Sequence, residues 1–296
     1  MFFVFVFYVE STRIENTVFS DFSQTPVKYS DVSIKLEIDF CVFDNCNSGT
    51  DNGGAILFTS SSSGSILITK VCGYGCCSKN GFGQFGYMNV KPSYSNSASL
   101  LSVSRSSPLH NTGYHSAICF YDGNQVINSI NVSYCSPNYW SAIGFGYSKN
   151  SVFSYSHVFS TYTTGYLCVI YSYGGSFNTN NVNFVNNSQD STLYGMITET
   201  WDSISSMVSC VFVANTNSNN RCLFYAQTGS ILLSECNIQT GITIYRVDTN
   251  NNYGPTSVPF YQLYSSHKCQ NEYITKTQKN PTFLYNILVC NLIVQI

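Results

Sequence analysis

The chain has 296 residues, enough for one large domain with a substantial core, and its 44% hydrophobic and 16% aromatic content rules out a disordered polymer. Charged residues make up 9% with a net charge of -2, and the 13 Lys and Arg are dispersed, so no basic patch exists for nucleic acid. Ser, Asn, Thr, Gly and Tyr fill the polar positions while strong helix formers are scarce, so an all-β chain is expected.

In chain order, the apolar run Met1 to Val9 reads either as a first strand or as a short signal-like segment. No basic residues precede it and no small-x-small cleavage site follows. Residues 1–30 are expected to cap one end of the domain. From residue 31 short apolar-alternating segments follow one another, separated by Gly, Ser, Asn and Thr. Gly53-Gly54-Ala55-Ile56 supplies a template, a small residue two positions before an apolar one. It recurs at Gly86-Tyr87-Met88 and ahead of Ile118, Ile143, Ile170, Ile197 and Phe224, where the last five apolar positions step by 25, 27, 27 and 27.

A second row runs through Ile66, Leu100, Ile127, Phe153, Phe177, Ile204 and Ile231. A third runs through Phe43, Tyr74, Tyr134, Phe159, Phe184, Phe212 and Ile238. In that third row Phe184 and Phe212 each open an F-x-x-N motif, closed by Asn187 and Asn215. One such turn cannot bury its inward side chains alone; stacked turns at the inter-strand spacing can. Three rows sharing one period predict a single-stranded right-handed parallel β-helix over 31–240, with about 25–27 residues per coil and longer N-terminal coils. Residues 241–296, interrupted by Pro255, Pro259 and Pro281, are expected to form a last partial coil and a C-terminal cap.

Thirteen cysteines are present without a CxxC pair. Cys41 and Cys46 precede Cys72 and Cys77 by 31 residues each, so the repeat is expected to lay Cys41 over Cys72 and Cys46 over Cys77. Either a ladder of buried thiols or oxidised pairs would satisfy that spacing. No His lies nearby, and no zinc or other metal site is expected. Phe283 to Ile296 is too short and too polar to span a membrane as a helix.

The Gly-Gly-Ala-Ile and F-x-x-N motifs together resemble the repeat pair of polymorphic outer-membrane proteins, which also has cysteine-rich versions among protist surface proteins. These belong to the pectin-lyase-like β-helix architecture. The resemblance covers about Ile34 to Ile238 as a pattern, with only Gly53 to Ile56 matching literally. It implies a secreted or surface-held protein concerned with adhesion, although neither an autotransporter barrel nor a membrane anchor is seen in this sequence.

The same architecture hosts polysaccharide lyases and glycoside hydrolases, which need clustered carboxylates. The 15 acidic residues look scattered, with Asp190, Glu199 and Asp202 the nearest grouping, so no catalytic residue and no cofactor are expected. A binding face is the better expectation. Tyr114, His115, Tyr139, Trp140, Tyr166 and Tyr194 precede the first row at nearly constant offset, as an aromatic strip for a glycan or a cell-surface protein. The bland alternative is that they shield a corner of the core. Of two sequons, Asn131-Val132-Ser133 is expected to be the usable one, because Asn186 falls within an F-x-x-N match and would turn inward. A fragment of a larger surface protein is the remaining alternative.

Overall fold

In the computed structural model the described residues are 11–49, 51–60, 62–79, 81–107, 116–137, 141–148, 150–163, 170–190, 198–217 and 223–239. They wind into an all-β parallel solenoid of about 7 turns with about 28 residues per turn, in three parallel sheets and with no helix. The first sheet stacks Val27–Val32, Ile56–Ser60, Gly86–Asn89, Ile118–Tyr121 and Ile143–Gly146, and then the leading parts of Ile170–Asn180, Thr198–Val208 and Phe224–Ser234. The second begins with Ser11–Glu15 and Lys35–Asp39. The third runs through Val18–Ser20, Val42–Asp44, Asn131–Ser133, His157–Phe159, Asn183–Val185, Val211–Val213 and Asn237–Gln239. Residues 11–30, read from the sequence as part of a cap, thus carry strands of the stack.

The short third sheet is bounded on both sides by left-handed corners. Phe40 and Asn45, Lys70 and Gly75, Tyr155 and Ser160, and Ser209 and Ala214 all have positive φ. Such backbone costs an L residue about 1–2 kcal/mol, and only Gly, Asn and Asp adopt it readily. Here the stack enforces it. Corner amides stay hydrogen-bonded to the next turn, Asn45 N–H to the Tyr74 carbonyl at 2.8 Å and Ser209 N–H to that of Ser234 at 3.0 Å. The bend therefore recurs whatever side chain occupies it.

Like residues align along the axis. One first-sheet column is Val27, Ile56, Gly86, Ile118, Ile143, Ile170, Thr198 and Phe224. Five of the seven expected members stand in it. Gly86 replaces Met88, which lies two residues on between Phe58 and Phe120; the position assigned to Ile197 belongs to Thr198, and Ile197 itself is outside the described residues. The second row merges two inward columns, Ile66 with Phe177 and Ile231, and Ile127 with Phe153. Leu100 is instead a corner residue with φ of 52°, and Ile204 faces solvent at 55% exposure. The third column is Phe19, Phe43, Gly73, Val103, Val132, Val158, Phe184, Phe212 and Ile238. Tyr74 and Phe159 are one residue out of it, and Tyr134 is two residues out, at the corner after the strand. In a strand one residue is the difference between core and surface, and Tyr74 and Phe159 are accordingly only half-buried, while Tyr134, at a corner with φ of 54°, is 55% exposed.

The core packs by stacking and by exchange of volume. Phe19 and Phe43 stack at 4.8 Å, and Phe184 and Phe212 at 5.1 Å with rings 4° from parallel. At Gly73 the column has no side chain, and a Cβ there would run into the Phe85 ring. Phe85, fully buried, fills that space from the following corner, edge-on to Phe43 at 5.8 Å. One turn earlier the sizes are reversed, with Phe43 in the column and Ala55 at the corner; both are fully buried. The two turns fill equal space from opposite sides. Gly53 of the Gly-Gly-Ala-Ile motif sits at φ +69°, where a Cβ would collide with the Ile56 carbonyl oxygen. Its glycine is a steric requirement of the corner.

Candidate functional site

Parity along the first sheet decides what faces out. With Ile118 and Phe120 buried, Cys119 and Tyr121 lie on the opposite side, as do Tyr87 and Asn89 in the turn below and Gly144 and Gly146 in the turn above. Their rings meet in sequence: Phe82 to Tyr87 at 6.0 Å, Tyr87 to Tyr121 at 6.3 Å, and Tyr121 edge-on to Tyr147 at 5.2 Å. Gly146 has no side chain, and the Tyr121 ring lies across it. Tyr147, at the corner with φ of 50°, is 50% exposed. The same register positions continue through Tyr171 and Tyr173, then Trp201, then Tyr225.

In register, Glu199 stands between Tyr171 and Tyr225 on this face. Asn89 Nδ2 donates to the Tyr87 hydroxyl at 3.4 Å. Burial pushes the Tyr87 hydroxyl up to about 12 and also raises that of Tyr121, so both stay neutral donors at physiological pH. Cys119, between them and closed off from solvent, is raised to about 12 by burial and is not a nucleophile.

The residues of the expected strip, Tyr114, His115, Tyr139, Trp140, Tyr166 and Tyr194, are all outside the described residues. The aromatic face described above is distinct in sequence from that strip, which precedes the isoleucine row. The signal was available one and three residues after it, in Ile118-Cys119-Phe120-Tyr121 and Ile170-Tyr171-Ser172-Tyr173. A period of two read outward from the buried row finds it.

The cysteine register is corrected by one residue. Val42, not Cys41, pairs with Cys72, and Asn47, not Cys46, pairs with Cys77. The interval at this level is 30 residues, so Cys46 sits beside Cys76. Cys41, Cys46 and Cys77 are free thiols, whereas Cys72 is disulfide-bonded, and therefore to none of them. Cys46, Cys76 and Cys135 take up the closing position of the F-x-x-N motif. Their thiols donate to the carbonyls of Phe19 at 3.6 Å, Phe43 at 3.6 Å and Val103 at 4.0 Å. Asn187 and Asn215 do the same with their amides, to Val158 at 3.0 Å and Phe184 at 2.8 Å. These cysteines are hydrogen-bonding parts of a corner. No group of three metal-ligating side chains is found among the described residues.

The register also gathers charges that look scattered in sequence. Arg13 stacks on Glu37 and Glu15 on Asp39. Arg13 Nη2 pairs with Glu15 at 2.9 Å and Asp39 at 3.2 Å, and Lys35 Nζ with Glu37 at 2.6 Å. The Lys35 ammonium holds the Glu37 carboxyl below its ordinary range, the opposite of what a general acid requires. Of the group named in the sequence, Asp190, Glu199 and Asp202, Asp202 is a corner residue and Glu199 belongs to the first sheet.

Among the third-sheet positions, Asn131, His157 and Asn183 are consecutive neighbours. Burial lowers the His157 imidazole to about 4, against about 6.5 in an unfolded chain. Between those values the unfolded chain binds more protons, so stability is complete above about pH 6.5 and falls as pH drops toward 4. His157→Asn, which repeats its neighbours, is expected to flatten the dependence of Tm on pH across that window.

No helix among the described residues is long and apolar enough to cross a membrane. Compared with known proteins, the chain matches no family model, no curated protein and no solved structure.

Proposed function

We propose that the chain is a non-enzymatic solenoid, secreted or held at a cell surface, that binds a glycan or the apolar face of a protein through the outward aromatic side of its first sheet. The observation that carries this reading is the run of ring contacts from Phe82 through Tyr87 and Tyr121 to the exposed Tyr147. Rings held at the turn spacing on a rigid stack offer flat, amphipathic area with little entropy to lose on binding. The neutral hydroxyls supply hydrogen bonds at the rim. The likeness of its motifs to polymorphic outer-membrane repeats supports the surface location and the adhesive role.

The test is a screen of the purified chain on glycans and cell surfaces, followed by Tyr121→Ser combined with Tyr147→Asn. Binding is expected to fall at least about tenfold, the scale of losing one well-packed aromatic contact, with the circular dichroism spectrum retained. Undiminished binding by the folded double variant removes this reading. A polysaccharide-cleaving alternative rests on the charges assembled around Arg13. Turnover of a glycan by the wild-type chain that is lost in Glu37→Gln would carry that alternative instead.

A further inference from the structure

Asn186 and Asn187 are adjacent in sequence and opposite in environment. Asn187 is fully buried and bridges two turns, whereas Asn186 is an exposed corner residue with φ of 55°. The inward side chain of the F-x-x-N motif is therefore Asn187, and the first residue of the sequon Asn186-Asn187-Ser188 points to solvent. Its amide makes one side-chain contact that is replaceable by water, Nδ2 to Ser160 Oγ at 2.9 Å on the surface. Asn131, the residue the sequence favoured, is in the reverse position. It is half-buried within a third-sheet strand, with Nδ2 on Ser102 Oγ at 3.4 Å. Ser102, beside it, is fully buried, and Asn183, beyond His157, is 2% exposed.

We infer that Asn186 is an N-glycosylation site and that Asn131 is not one in the folded protein. The reaction joins Asn186 Nδ2 to C1 of a lipid-diphosphate-linked oligosaccharide. The C1–O bond breaks, its electron pair leaves with the diphosphate, and the amide gives up one proton. Acceptor sequons are modified on an extended, unfolded chain, so the folded state selects which modified chains survive. A glycan on Asn186 projects from the corner and disturbs at most one exposed hydrogen bond that water can replace. On Asn131 it would start from a half-buried position in a strand face on which Ser102 and Asn183 are already closed off from solvent, and would displace the Asn131–Ser102 contact.

This inference rests on the secretory part of the proposed function but not on its ligand. The chain is expressed behind a heterologous signal peptide in insect cells, so its native location is not needed for the test. Deglycosylation by a peptide amidase in H2-18O, followed by peptide mass mapping, is expected to place the label at residue 186 and not at 131. Asn186→Gln should abolish the glycan mass, while Asn131→Gln should leave both the glycan and the yield of soluble protein unchanged. Label at 131 in folded secreted protein, or an unmodified Asn186 in protein that is secreted and folded, overturns the inference. Loss of glycan and ligand binding in the aromatic variant alone would bear only on the binding face.

Discussion

Phe85→Ala is expected to cost about 3–5 kcal/mol, the usual range for emptying a fully buried phenylalanine site, and Gly73→Phe on top of it to restore most of that loss. Alone, Gly73→Phe has no room, because Phe85 is the neighbour that even a Cβ would strike. Together the two changes rewrite this turn in the pattern of the one before it, with Phe43 in the column and Ala55 at the corner. The relevant measurement is a double-mutant cycle by urea unfolding. A favourable coupling of at least about 2 kcal/mol is expected, because the two side chains compete for one volume. Additive losses would show that Phe85 does not occupy the space left by Gly73.

The second large effect is expected at Asn187. Its Oδ1 accepts from the Thr161 amide at 3.0 Å and hydroxyl at 2.8 Å, while Nδ2 donates to the Val158 carbonyl and to Asn215 Oδ1, both at 3.0 Å. Asn187→Leu leaves these groups buried without partners and should cost about 3 kcal/mol or more, since each stranded group costs about 1–3 kcal/mol. Asn187→Cys should lose about half as much. Cys46, Cys76 and Cys135 occupy the same corner and place their thiols on the equivalent carbonyls. Equal destabilisation by Leu and Cys would mean that the thiols in the earlier turns are packing groups and not substitutes for the amide.

Both expectations depend on a register that was only partly legible beforehand. The buried isoleucines of the first sheet were readable because they repeat in one column with a small residue two positions before. The third column differs from the expected row at Tyr74 and Phe159, aromatic residues next to the buried position that mimic it, and at Tyr134, an aromatic corner residue two positions beyond it. Corners signalled by Gly or Asn can be located from sequence; those built on Phe40, Lys70, Leu100 and Tyr155 cannot, because inter-turn hydrogen bonds impose a conformation those residues do not prefer. Each hidden corner permits a one-residue slip. That slip paired Cys41 with Cys72, and a misjudged inward turn favoured Asn131 over Asn186. The outward tyrosines of the first sheet follow from parity once a single buried position is known.

What the amino-acid sequence by itself determined was the class of object: an all-β stack in which recurring Ile, Phe, Asn and small residues can be buried only against their copies in adjacent turns. A repeat in hydrophobicity is local information, and it survives errors of one or two residues. What the tertiary structure alone decided was which residues meet. The pairing of Gly73 with Phe85, the gathering of Arg13, Glu15, Lys35, Glu37 and Asp39, and the chain of rings from Phe82 to Tyr147 all join different turns. Turns vary in length, so a neighbour one turn away has no constant offset along the chain. Contact across turns is set by hydrogen-bond register, which the left-handed corners define in three dimensions.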